Sequence, residues 1–207
     1  MIFKLLITII SLVFWFLSQK FISRFHLNSN NEIKDSLHLL TSSINSYLNQ
    51  SPNLVRWLLI SSSLLIDLLG LFIIFYSLFG PSFKPLVCMI IIFLLRQLNQ
   101  IITILPAPEG MIWKYPGFPS LFVTYGVTQD LFFSGHTALA TLGAYELFHL
   151  GGVWGCIGVL ILIYEITVVL VLRAHWTMDI FTGFIVSLFV CILTSPWMPL
   201  IDSWFQN

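Results

Sequence analysis

The chain has 207 residues, of which 57% are hydrophobic, 15% aromatic and only 9% charged, with nine Lys/Arg against nine Asp/Glu and a mean hydropathy of +0.93. An ordinary soluble domain carries about 25% charged residues, so a soluble globule is excluded, as is a disordered tail with its low hydrophobicity and high net charge. A net charge of zero provides no basic patch for nucleic acid. The composition points to an all-α integral membrane protein, a multi-pass bundle of helices.

Six apolar runs follow in chain order, predicting about six transmembrane helices in one bundle. The first covers Leu5–Phe21, flanked by Lys4, Lys20 and Arg24. It lacks a small-residue cleavage site, which favours a retained anchor over a signal peptide. Residues 22–53 are polar and rich in Asn and Ser. Within them Ile33, Leu37, Leu40, Ile44 and Leu48 recur at helical spacing, which predicts an amphipathic interfacial helix. The second run, Leu54–Phe79, is broken by Gly80-Pro81, and the third, Pro85–Leu105, by Pro106 and Pro108. Pro106, Pro108, Gly110, Pro116, Gly117 and Pro119 then predict a rigid folded loop over residues 106–131. The fourth run is Phe132–Leu150, ended by Gly151-Gly152. The fifth is Val153–Leu172 and the sixth Trp176–Leu193, stopped near Pro196. Cys88, Cys156 and Cys191 lie in apolar runs with no ligand spacing and read as buried small hydrophobes.

Charges inside such runs are costly and mark function by default. Asp67, Arg96, Glu146, Glu165 and Arg173 stand out. Asp67 and Arg96 lie at similar depths, which predicts a pair, direct or through water. Glu146 and His149 read as an interfacial polar pair. Glu165 either steadies Arg173 or faces other helices.

Two stretches carry chemistry. Phe133-Ser134-Gly135-His136-Thr137 opens the fourth run. Its free helix N–H groups and positive dipole end make an anion site, and Gly135 admits a phosphate closely. Arg173-Ala174-His175-Trp176-Thr177-Met178-Asp179 opens the sixth. There His175 and Asp179 share a helical face, so the carboxylate can orient the ring and leave one nitrogen free to attack an electrophile. Arg96 and Arg173 offer forks for phosphate oxygens. His26, His38 and His149 lie elsewhere. The set predicts phosphoryl transfer through a phosphohistidine, with His175 as nucleophile, His136 as acid and base, and Ser134 and Gly135 with the two arginines holding the phosphate. No metal or cofactor is needed.

These stretches resemble the type 2 phosphatidic acid phosphatase superfamily, and within it the sphingomyelin-synthase-like branch that includes plant phosphatidylcholine:diacylglycerol cholinephosphotransferases. Asp130 before Phe133-Ser134-Gly135-His136, then His175-Trp176-Thr177-Met178-Asp179 with Arg173 two before it, fit that branch. So does Leu95-Arg96, with Thr103 and Leu105-Pro106-Ala107-Pro108 at the matching distance, followed by a plant-like loop to Pro119. The resemblance runs over residues 54–195. It implies six helices, a site at one membrane face, and the roles of His175, Asp179 and His136 given above. Asp130, from its place in the motif, and Asp67, from its charge inside an apolar run, are candidate supports of the site. Phosphatases of the superfamily carry an Arg where Val169 stands, and Arg-Pro where Arg96-Gln97 stands. Both departures favour headgroup transfer over hydrolysis.

The expected division is 1–53 as anchor and interfacial segment, 54–196 as catalytic bundle and 197–207 as a short tail. The expected partners are a phospholipid donor with a phosphocholine-like headgroup and a lipid alcohol such as diacylglycerol or ceramide. A lipid phosphate phosphatase is the alternative, and a transporter or membrane scaffold the non-enzymatic one. The protein belongs in an endomembrane or the plasma membrane. Lys20, Arg24, Lys34, Arg56 and Lys114 on the site-bearing side argue for a cytoplasmic site, whereas the resemblance implies an exoplasmic or lumenal one.

Overall fold

A computed structural model describes residues 33–123, 125 and 131–205. The predicted first span and Asp130 lie outside the described residues. Residues 35–207 form one compact unit, all-helical among the described residues. Its elements are α1 (Ser36–Leu40), α2 (Ser42–Asn49), α3 (Pro52–Phe79), α4 (Lys84–Ile102), α5 (Gly135–His149), α6 (Gly152–Val171), α7 (Thr177–Thr194) and α8 (Met198–Phe205).

Four of these, α3, α4, α6 and α7, are long and apolar enough to cross a membrane. Local chemistry sets their ends. Pro52 and Pro85 stand in the first turns of α3 and α4, where a missing N–H is harmless. Gly80-Pro81 and Pro106 act as the breakers they were expected to be. Outward-facing Leu64, Leu68, Phe75, Leu94, Leu160, Ile163, Phe181 and Phe189 are exposed, the surface a hydrocarbon solvent favours.

The fourth run behaves differently. Its helix α5 starts at Gly135, three residues later than the apolar run, because Ser134 takes the N-cap and accepts a hydrogen bond from the Thr137 amide. Fifteen residues at about 1.5 Å each fall short of a ~30 Å hydrocarbon core. Eleven of the fifteen are buried, against three of nineteen in α4. α5 is therefore the central post, packed against α3, α4, α6 and α7. Glycines permit the closeness. A Cβ at Gly143 would meet the Leu69 side chain at 2.7 Å, and one at Gly158 would meet the Ala144 Cα at 2.9 Å. Ile66, Leu69, Ile73, Cys88, Ile92, Leu139 and Leu142 form the main apolar core around it.

The expected single interfacial helix is two short ones, α1 and α2, joined at Thr41. Their apolar stripe points outward, with Leu37, Leu40 and Ile44 exposed, while His38 and Asn45 are buried. Only Leu48 of the stripe packs inward. The expected tail is also partly helical. α8 begins at Met198, and Asp202 Oδ1 accepts the Phe83 amide at 2.8 Å beside the start of α4.

The proline- and glycine-rich loop is folded, as its composition implied. The Ile112 amide donates to the Leu172 carbonyl at 2.8 Å, Arg56 Nε to the Pro116 carbonyl at 3.0 Å and Trp176 Nε1 to the Pro106 carbonyl at 2.9 Å. Gly110 has φ +75° and no room for a side chain, since a Cβ would lie 2.8 Å from Asn45 Oδ1.

Candidate functional site

The two motif stretches meet. The Ser134 amide donates to the Asp179 carbonyl at 3.0 Å. A Cβ on Gly183 would lie 2.6 Å from the Ser134 carbonyl oxygen, so only glycine lets α7 press against the cap of α5. Each motif opens on a residue in the left-handed region, Phe133 at φ 81° and Arg173 at φ 52°. Such backbone costs about 1–3 kcal/mol and persists only where the surroundings over-determine it. Phe133 is fully buried and its carbonyl accepts Arg96 Nε at 3.2 Å.

Between them lies a cavity of about 200 Å³ whose lining includes His136, His175, Gly135, Arg96, Trp113 and Phe122. Both histidines are buried as whole residues, 8% and 7% exposed, yet both line this space. His175 Nδ1 faces the Leu131 carbonyl at 3.2 Å and Asp179 Oδ2 at 3.5 Å. A carbonyl can only accept, so Nδ1 carries the proton and Nε2 keeps its lone pair. Asp179 is at the same time a helix cap, its Oδ2 accepting the Trp176 amide at 2.9 Å. His136 Nε2 is buried without a hydrogen-bond partner among the described residues, and its ring meets the Trp113 ring edge-on at 5.1 Å. Gly135 lies beneath Arg96, with its missing Cβ position 3.2 Å from Nε. The first turn of α5, an anion-favouring helix end, therefore shares the cavity with a guanidinium and two imidazoles.

Other expected residues are placed elsewhere. Ser134 is fully buried, and its hydroxyl serves the Thr137 amide and hydroxyl rather than the cavity. Arg173 spends its fork on main-chain carbonyls, Nη1 on Glu109 at 2.5 Å and Nη2 on His38 at 3.2 Å. Among the described residues Asp67 makes no direct bond to Arg96. Its carboxylate accepts the amides of Leu121 and Phe122 and the Ser120 hydroxyl, because the folded loop offers three donors at that depth. Glu165 takes the Ser62 hydroxyl at 2.6 Å rather than Arg173. Glu146 is buried, with Oε1 unpartnered among the described residues, and His149 bonds to the Tyr145 carbonyl instead of to it. Val169, where phosphatases carry an Arg, is fully buried against Ala174 and Ile180.

Sequence reasoning missed Leu131, whose carbonyl sets the His175 tautomer, and Gly183. It also missed Asp35, His38 and Asn45. Asn45 Nδ2 reaches the Gly110 carbonyl at 3.1 Å and the Val171 carbonyl at 2.9 Å. Asp35 before an apolar helical stripe is an N-cap signal and could have been noticed. Its second set of partners could not.

Fold and cavity together define a membrane-embedded helical protein with a polar pocket at one end of its bundle. The AtPDCT1/2 family model matches residues 34–195, and the chain belongs to this family of phosphatidylcholine:diacylglycerol cholinephosphotransferases. The match starts twenty residues before the resemblance read at residue 54 and takes in α1 and α2. No curated protein and no solved structure matches the chain.

Proposed function

We propose that the protein moves a phosphocholine headgroup from a phospholipid to a lipid alcohol, diacylglycerol or ceramide, through a phosphohistidine on His175. The observation that carries this reading is the shared cavity. It brings one imidazole with a defined free nitrogen, a second imidazole, a guanidinium and a helix N-terminus to one space of about 200 Å³.

His175 Nε2 attacks phosphorus, an N–P bond forms and the P–O bond to the donor's glycerol breaks. His136 delivers the proton that the departing alkoxide needs. The acceptor hydroxyl then gives its proton to His136 and attacks phosphorus, and the N–P bond breaks. Leu131 and Asp179 hold Nδ1 throughout. Arg96 and the amides of Gly135 and His136 steady the phosphate oxygens as charge moves. Trp113, Phe93 and Phe122 wall the same cavity, and aromatic faces suit a quaternary ammonium. This wall, with Val169 where phosphatases carry an Arg, favours transfer over hydrolysis.

The catalytic unit belongs to a superfamily of type 2 phosphatidic acid phosphatase relatives and spans the membrane six times. The expected first span lies outside the described residues, and α5, shorter than the hydrocarbon core, is the central post among the others.

The test uses the full chain in vesicles of phosphatidylcholine labelled in the headgroup, with diacylglycerol or ceramide as acceptor. Label moves to the new lipid, not to free phosphocholine or phosphate. His175→Ala and His136→Ala each lose about 10²–10⁴-fold or more of the transfer. Full turnover in both variants would end this reading.

A further inference from the structure

Outside the cavity, one cluster of titratable groups touches the histidine segment directly. α1 and its cap bond to every second residue of the stretch carrying His175. His38 Nε2 donates to the His175 carbonyl at 3.0 Å. Asp35 Oδ2 accepts the Thr177 amide at 2.7 Å and Oδ1 the Thr177 hydroxyl at 2.6 Å. The His38 carbonyl accepts Arg173 Nη2 at 3.2 Å. The His38 ring also stacks on Trp176, centroids 5.5 Å apart, and its Nδ1 lies 4.0 Å from Asp35 Oδ2. The same carboxylate caps α1 through the amides of Leu37 and His38. His38 is thus tied to Asp35 from one side and to the histidine segment from the other.

We infer that Asp35 and His38 are positioning residues for the transfer reaction, a clamp that fixes the main chain of residues 173–177 and so aims His175 at phosphorus. The inference rests on the reading of His175 as nucleophile. The segment needs such a clamp. It connects α6 to α7 in a few residues, holds Arg173 in the left-handed region, and its local bonds are those of the Arg173 and Ala174 amides back to α6 and those of Asp179 and Ile180 to Trp176. An imidazole N–H on the carbonyl of His175 itself fixes the peptide from which the nucleophile projects. Small misplacements of a reacting group are expensive, about 10²-fold for 1 Å. His38, Asn45 and Leu48 of α1 and α2 are buried while Leu37, Leu40 and Ile44 are exposed, so the outer side is free to rest on the bilayer while the inner side holds the segment.

The experiment measures transfer kinetics in the same vesicles for the full chain carrying His38→Ala, His38→Gln or Thr177→Val, with His175→Ala alongside. His38→Ala lowers kcat about tenfold, and slows formation of the phosphoenzyme equally, with KM for both lipids held within about twofold. His38→Gln keeps an amide donor for the His175 carbonyl and regains most of the rate. Thr177→Val removes one of the two Asp35 bonds and lowers kcat about threefold. Where His38→Ala fails to fold, the glutamine and valine variants decide. Full kcat in His38→Ala beside an inactive His175→Ala overturns the clamp alone, as does a loss in His38→Ala that glutamine leaves unrescued. Retained transfer in His175→Ala overturns the underlying mechanism instead.

Discussion

His136 and His175 face one cavity but reach it by different constructions. His136 stands on the first turn of a regular helix whose cap is supplied two residues away by Ser134, with Thr137 closing the turn. His175 lies in the short connection between α6 and α7, and its neighbours bond to residues 35, 38, 45, 106, 109 and 131. The first histidine is placed by a local rule of helix starts. The second is placed by segments 44 to 142 residues away along the chain. A helix turn is stiff by its own hydrogen bonds, whereas a connection must borrow stiffness from whatever packs over it.

Gly183 joins the two constructions, so its substitution is the largest way to break the comparison. A leucine there would drive its Cβ into the Ser134 carbonyl and separate α7 from the cap of α5. Gly183→Leu should abolish headgroup transfer. Gly183→Ala should lower stability by about 1–3 kcal/mol, read as a fall in the thermal midpoint in detergent. An alanine variant with unchanged midpoint and rate would show that the two segments do not depend on this contact. Asn45→Ala comes next. It leaves the buried Val171 carbonyl and the Gly110 carbonyl without their donor, a loss of about 1–3 kcal/mol. It should open the loop over residues 106–112 to limited proteolysis and slow phosphoenzyme formation. Ser134→Ala is smaller, about 0.5–2 kcal/mol for a lost N-cap, and should leave that loop protected. If Ser134→Ala opened the loop as far as Asn45→Ala does, the division into local and distant support would fail.

How legible each construction was in the sequence follows from the same division. Apolar runs with Gly80-Pro81, Pro106 and Gly151-Gly152 as breakers locate α3, α4, α6 and α7 to within three residues, because those signals are local. The Ser134 cap was readable as a helix start, though the run's length overstated α5. The periodic stripe Leu37, Leu40, Ile44 was readable as a helix but not as two. Its orientation was not readable, since periodicity says which face is apolar and not which solvent that face meets. In water the apolar face would turn inward. Here His38 and Asn45 turn inward instead, although in the sequence His38 stands far from both motifs. Asp67 bonds directly to the loop rather than to Arg96 because a main-chain loop can supply donors that no side-chain pattern reveals.

The distant support carries its own titration, the smallest effect and the most specific to it. Burial holds the His38 imidazole below its ordinary value, with Asp35 working against that shift. Burial raises Asp35, yet the hydrogen bonds from the Thr177 hydroxyl and amide and from the His38 amide together bring it below the usual carboxylate range. The unfolded chain therefore takes a proton on His38 at a higher pH than the folded chain does. Stability from this seat is full above the ordinary histidine value of about 6.5 and declines as pH falls below it. Asp35 acts in the same direction in a lower window, its contribution present above about 3.9 and lost as pH falls through its depressed folded value. Between pH 7.5 and 5.5 the thermal midpoint of the wild type in detergent should thus fall with acidification, and His38→Gln, with no proton to gain, should flatten part of that slope. The remaining histidines and carboxylates titrate in both proteins, so the difference between the two slopes isolates His38. Equal slopes would mean that the clamp is seated without regard to the charge state of His38.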